Sequence, residues 1–212
     1  MKKTITLLTL FFSLISIGQN EKINKFNKEN KKTGVWKLTS KNKDIEIVTE
    51  FLDGKYVSET KYYKDKKLVA LYNNDLNEIV IINDSVSTKA KFNINEDSSR
   101  NLVRIDGTEI EEEILNYFYS FSELDPEYVT GFTGFFQFIA KNFNIGDFVG
   151  KIKIKFDIDP NGKVTNISLM EGNNQKLEKE AKRVFSKLPS WQPGHKDGEF
   201  ITKTLIFPIT RN

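Results

Sequence analysis

The sequence contains no cysteine, which excludes a disulfide framework, a thiol nucleophile, a cysteine-ligated zinc site and a lipid on an N-terminal cysteine. It has a single histidine, His195, and a lone histidine in a polar loop is far more often a solvated side chain than a base or a metal ligand. Proline is nearly as scarce. The five residues stand at 126, 160, 189, 193 and 208, so no Pro-rich extended spacer occupies the first 125 positions. No phosphate-cradling glycine motif is present. Basic residues are not concentrated: 32 Lys and Arg face 29 acids for a net charge of +3, without the density of a nucleic-acid footprint. Two remaining clusters have simpler explanations. Glu111, Glu112 and Glu113 are consecutive and point in different directions on a helix start. Asp157, Asp159 and Asn161 lack the distal acid of a calcium loop and are accounted for by turn chemistry. His195, in Pro-Gly-His-Lys-Asp-Gly, reads as a solvated turn residue. The expectation is a non-enzyme with no cofactor, no metal, no small-molecule substrate and no nucleic-acid partner.

What is present begins with Met1-Lys2-Lys3 and an apolar run from Thr4 to Ile17, broken only by Thr and Ser and followed by Gly18-Gln19-Asn20. The run is 14 residues long, whereas a bilayer-spanning helix needs about 20. Residues 1–18 therefore read as a signal peptide cleaved near Gly18, with export to the periplasm or cell envelope. The alternative is an uncleaved membrane anchor through residues 4–17.

Charge is segmented. Residues 19–75 carry a net +4, residues 76–130 a net −8 and residues 131–212 a net +5. Residues 19–33, rich in Lys, Asn and Glu, read as a flexible lead-in. Residues 34–125 read as a β-rich domain ending in an acidic helix. Gly34-Val35-Trp36, Glu50-Phe51-Leu52-Asp53-Gly54-Lys55 and Tyr62 to Leu68 give short aromatic strands between Gly and charged turns. Glu78–Ile82, Ser87–Ile94 and Leu102–Ile105 continue the series. Ile110, Ile114, Leu115, Phe118 and Phe121 give the stripe of a helix over 109–121. Two readings stand for the strands: an antiparallel meander with an aromatic core, or hairpin repeats that loosely resemble MORN units. Ser122 to Val129, with Asp125-Pro126, reads as a linker.

The C-terminal part has the sharpest punctuation. Ile152, Ile154, Phe156 and Ile158 alternate with Lys151, Lys153, Lys155 and Asp157, a half-buried strand. Asp159-Pro160-Asn161-Gly162 is a turn by the chemistry of each position. A returning strand from Val164 to Met170 has Thr165, Ile167 and Leu169 as its inward residues. Leu177, Ala181, Val184, Phe185 and Leu188 then mark an amphipathic helix, which Pro189 cannot continue. Trp191 caps the helix end, Pro193-Gly194 turns the chain, and Phe200 to Thr210 forms a last strand in which Pro208 favours an open edge. Upstream, Phe135, Phe138, Ile139 and Phe143 mark a short helix preceded by Thr133-Gly134.

The order of Asp-Pro-Asn-Gly, Leu-Pro-Ser-Trp-Gln-Pro-Gly and Phe-Pro resembles the C-terminal domain of the TonB family, over residues 130–212. The resemblance implies an α+β fold: helix, β-hairpin, helix and edge strand around a three-stranded antiparallel sheet, following the antiparallel β-rich domain. Asp159, Pro160, Asn161, Gly162, Pro189, Trp191, Pro193, Gly194 and Pro208 are its structural signature here. It also implies a function, the pairing of the sheet edge with an extended segment of a protein partner such as an outer-membrane TonB-dependent receptor. On this sequence that edge maps to Phe200, Thr202, Lys203, Thr204 and Ile206. Two roles follow: a component of TonB-linked transport across the outer membrane, or an exported adaptor or structural protein that keeps the fold without energy coupling.

Overall fold

A computed structural model describes residues 23–97, 99–170 and 174–211. The expected signal peptide and the first residues of the lead-in lie outside these. Strands β1 (Lys25–Phe26), β2 (Lys32–Thr39), β3 (Ile45–Leu52), β4 (Lys55–Tyr56), β5 (Thr60–Lys64), β6 (Lys67–Asn73), β7 (Glu78–Asn83), β8 (Val86–Ile94) and β9 (Arg100–Arg104) form one antiparallel sheet. Its order is β1-β2-β3-β5-β6-β7-β8-β9 with β4 appended to β3, a meander of successive hairpins. Alternation decides which face is buried. Leu38, Ile47, Tyr62, Ile79 and Phe92 point into one core. The helix α1 (Glu112–Ser122) closes that core with the fully buried Phe118 and Phe121.

The segment expected to be a flexible lead-in is ordered from residue 23 onward. Asn24 adopts the left-handed conformation, and its side chain donates to Lys37 O at 2.9 Å. Asn27 Oδ1 accepts from the amides of Glu29 and Lys31, both at 3.0 Å. Asparagine here builds the turn, and the Phe26 ring packs edge-on to Trp36 at 5.1 Å.

The remaining chain is helix α2 (Gly131–Asn142), the hairpin β10 (Gly150–Ile158) and β11 (Val164–Leu169), helix α3 (Gln175–Phe185), a small hairpin β12 (Gly194–Lys196) and β13 (Glu199–Ile201), and strand β14 (Lys203–Arg211). The three-stranded sheet has the order β11-β10-β14, all antiparallel. A second core lies beneath it, where Phe135 and Ile139 of α2 and Leu177, Ala181, Val184 and Phe185 of α3 meet Ile152, Ile154 and Phe156. The fold is therefore α+β, with a β-rich antiparallel sheet followed by the small mixed unit.

Four local expectations need correction. In β11, Val164 takes the inward place assigned to Thr165. Asp157 pairs with Thr165 and Ile158 with Val164, whereas Ile154 pairs with Leu169, so β11 holds one extra residue at a bulge. Asn166, at φ 51°, absorbs it, and a bulge exchanges the faces on either side of it. Gly134 lies inside α2 rather than before it. The chain does not turn at Pro193-Gly194 but at Asp197-Gly198, whose positive φ values of 49° and 83° suit a tight two-residue hairpin. Finally, Phe200 belongs to β13, and the edge strand begins only at Lys203.

The expected linker 122–129 is a seam. Leu124 exchanges backbone hydrogen bonds with His195 at 2.8 and 2.9 Å, and Glu127 with Gln192 at 3.0 and 2.7 Å. The Gln192 carboxamide accepts from Thr39 N at 2.7 Å and donates to Thr39 O at 2.9 Å. Lys32 Nζ donates to Pro160 O at 2.7 Å and to Asn161 Oδ1 at 3.1 Å, while standing 4.4 Å from the centre of the Phe200 ring. Burial lowers its pKa to about 8, against the opposing pull of the Asp159 carboxylate.

Two sequence signatures meet at this seam. Trp191 N donates to Gly162 O at 2.8 Å, and a Cβ on Gly162 would stand 2.0 Å from Trp191 O at φ +77°. Both the clash and the left-handed backbone oppose any side chain there. Gly162→Ala is expected to destabilise the protein by about 2 kcal/mol, read as a lower urea midpoint at unchanged m-value.

Candidate functional site: an open sheet edge

Among the described residues, strand β14 has β10 on one side and no strand on the other. Which of its groups face the open side follows from the ladder. Lys153 is paired with Pro208, and its carbonyl accepts from Met170 N at 2.9 Å on the β11 side. Lys153 and Pro208 are therefore a non-hydrogen-bonded pair, whose backbone groups point away from each other. The register runs without a shift from Gly150 opposite Arg211 to Ile158 opposite Lys203. Thr204, Ile206, Pro208 and Thr210 consequently turn their backbone groups to the open edge. Proline has no amide to leave unpaired, so it sits at Pro208 at no cost to the β10 ladder.

The two faces of this edge differ. Toward the helices, Phe207 packs on Phe135 with ring centres 4.8 Å apart. Two further α2 residues, Phe132 and Phe136, flank Phe207 at 6.4 and 6.5 Å, yet remain 66 % and 56 % exposed. On the opposite face Thr204, Ile206, Pro208 and Thr210 are all exposed, and Ile206 is 52 % exposed. Beside them on β10 stand Lys151, Lys153, Lys155 and Asp157. The Asp157 carboxylate accepts from Thr204 Oγ1 at 2.6 Å and Asn166 Nδ2 at 2.7 Å, and these hydrogen bonds hold its pKa down.

Of the residues expected to bind a partner strand, the edge brings together Thr204 and Ile206, with Lys203 at its beginning. Lys203 is drawn into the seam by Asp125 at 2.9 Å, whose hydrogen bond raises the lysine pKa. Thr202 is exposed in the break between β13 and β14. Phe200 faces the other way: its ring meets Trp36 at 5.9 Å and Phe51 at 5.7 Å in the first core. Phe132 and Phe136 were not expected from sequence. Their i, i+4 spacing on a helix with a separate buried stripe was the signal available.

His195 is not a solvated turn residue. It is fully buried between Tyr62 at 5.7 Å and Phe200 at 5.6 Å, with Nδ1 at 3.3 Å from Ser122 O. Burial pushes its pKa down to about 4, so it is a neutral core side chain. Asp159 Oδ1 accepts from the amides of Asn161 and Lys163, both at 2.8 Å, which is the turn chemistry expected of it. Among the described residues no group of three or more His, Asp or Glu side chains could hold a metal ion.

The small antiparallel sheet lies over two helices and ends in a strand at each edge, the six-residue β11 and the nine-residue β14. Residues 147–210 match the family model described as Gram-negative bacterial TonB protein C-terminal. Over this stretch the chain is similar to that C-terminal domain. The match stops short of α2 and of the nine-stranded sheet, so the MORN-like likeness gains no support from it. Neither a search of curated proteins nor one of solved structures found a significant match. No helix among the described residues is long and apolar enough to cross a membrane.

Proposed function

We propose that this is a non-catalytic protein of the cell envelope whose TonB-like domain takes an extended segment of a partner protein onto the open edge of β14. An outer-membrane TonB-dependent receptor is the partner that the domain type favours. The carrying observation is the unpaired row of backbone groups at Thr204, Ile206 and Thr210 on a strand whose other side is fully laddered. Native edges that bind nothing are normally short, covered, or blunted by charge and proline; β14 carries Lys203 and Pro208, yet it is nine residues long and exposes Ile206. A role as an adaptor within TonB-linked transport, rather than as the energy transducer itself, is favoured by one feature. The interval before the TonB-like domain holds a closely packed sheet joined to that domain, where a transducer requires an extended spacer.

The test is titration of the full chain with N-terminal peptides of such receptors, alongside the Ile206→Pro variant. Proline at 206 removes an edge-facing amide and leaves the β10 ladder intact. Affinity is expected to fall at least about tenfold, since each lost backbone hydrogen bond is worth about 1 kcal/mol and the ring hinders close pairing. Equal binding by the variant would contradict an edge-pairing role.

A further inference from the structure

We infer that the strand received by β14 alternates acidic and apolar residues, with carboxylates on the face of Lys151 and Lys155 and apolar side chains on the face of Phe132 and Phe136. The inference rests on the strand-pairing reading above and adds the chemistry of the partner. Residues of an added strand opposite Thr204, Ile206, Pro208 and Thr210 must share the face of those side chains, and their neighbours in sequence must share the face of Leu205, Phe207 and Ile209.

On the outer face the β14 side chains are uncharged. The nearest charges belong to β10: Lys151 opposite Thr210, Lys153 opposite Pro208, Lys155 opposite Ile206 and Asp157 opposite Thr204. An added strand lies two strand spacings from β10, about 10 Å. The long stems of lysine can cross the low Thr and Pro side chains between them. Asp157 keeps its charge, held by the neutral donors of Thr204 and Asn166, but it stands at the Thr204 end, so the field over the rest of the edge, beside Lys151 and Lys155, is positive. Carboxylates opposite Thr210 and Ile206 fit that field, and lysines there would meet like charge.

On the inner face an added strand slides beside Phe207, under Phe132 and Phe136. These are two of the most exposed aromatic rings in the described residues. They sit on the helix that already buries Phe135 and Ile139, so the core does not need them. They form an apolar shelf which only an alternating strand could cover while keeping its charges on the far side.

The experiment uses the full chain and three synthetic nine-residue peptides with valine and isoleucine at alternate positions. The intervening positions are glutamate, threonine or lysine. By fluorescence anisotropy at low salt the glutamate peptide is expected to bind about tenfold more tightly than the lysine peptide, a margin that shrinks at high salt. The double variant Lys151→Glu/Lys155→Glu should invert the order. Phe132→Ser/Phe136→Ser should weaken all three peptides about tenfold, with the far-ultraviolet spectrum unchanged. Equal binding of glutamate and lysine peptides, still lost in Ile206→Pro, overturns the inference and leaves edge pairing standing. No binding of any peptide, together with none of receptor peptides, removes edge pairing and the inference with it. Cosedimentation with phosphatidylserine vesicles that needs Lys151 and Lys155 and ignores Ile206→Pro would assign the basic face to a lipid surface and also overturn it.

Discussion

Phe135→Ala is expected to lower stability by about 3–5 kcal/mol, the range for removing a buried aromatic ring from a packed core. Phe135 is 2 % exposed, and its ring meets Phe207 at 4.8 Å, Trp191 at 5.1 Å, Tyr128 at 5.6 Å, Phe185 at 6.1 Å and Phe156 at 6.2 Å. It therefore joins α2, both strands β10 and β14, α3 and the Trp191 corner. No neighbouring side chain can fill the space without abandoning another contact. The two tryptophans make the consequence readable in each half, because Trp36 belongs to the sheet and Trp191 to the second core. In each single-tryptophan form, Trp36→Phe and Trp191→Phe, Phe135→Ala should lower the urea midpoint by the same amount. The seam of 124–127 with 192–195, the Gln192 and Lys32 bonds, and the bond from Arg100 Nη1 to Asp197 O at 2.8 Å tie the halves into one cooperative unit. An early transition at Trp191 alone would show that the halves unfold separately.

The second large effect is acid lability through His195. Its folded pKa, about 4, lies below the ordinary histidine value of 6.5 because burial penalises the charged ring. A base with a depressed folded pKa binds protons more readily when unfolded. Its neutral form thus contributes full stability above pH 6.5, and that stability is lost as pH falls from 6.5 toward 4. The loss is about 3 kcal/mol at 1.36 kcal/mol per unit. Carboxylates such as Asp157, whose pKa is lowered by hydrogen bonds, add their own loss at lower pH. His195→Leu separates the two. Between pH 7 and pH 4 the natural protein should lose about 3 kcal/mol more than the variant, measured by urea unfolding at each pH. Parallel pH profiles would mean that the imidazole is protonated or hydrated in the folded protein.

The small domain was legible because each junction carries a residue with few alternatives. Asp159 to Gly162 can hardly be anything but a turn, the Ile152 to Ile158 alternation has a period of two, and Pro189 must end a helix. The edge position of β14 was legible from Pro208 for the same reason. What escaped depended on long-range contact. His195 stands in a polar stretch, and its burial is dictated by Tyr62, 133 positions earlier in the chain. Phe200 continues the alternation of β14 in sequence, yet the Asp197-Gly198 turn and the gap at Thr202 give it to the other core. The Asn166 bulge reverses Thr165 and Val164, and a single residue in the left-handed conformation leaves no trace in hydropathy. Phe132 and Phe136 were hidden among the aromatic residues of α2, where a buried stripe and an exposed pair share one composition.

The most direct measurement is amide hydrogen exchange of the full chain, by NMR, with and without the alternating glutamate–valine peptide at saturating concentration. If β14 receives a strand, the amides of Thr204, Ile206 and Thr210 gain protection, while Leu205, Phe207 and Ile209, already bonded to β10, change little. That every-second-residue pattern on one strand is the expected result. Protection spread evenly over β14, or confined to residues outside it, would contradict the assignment of this edge as the binding site.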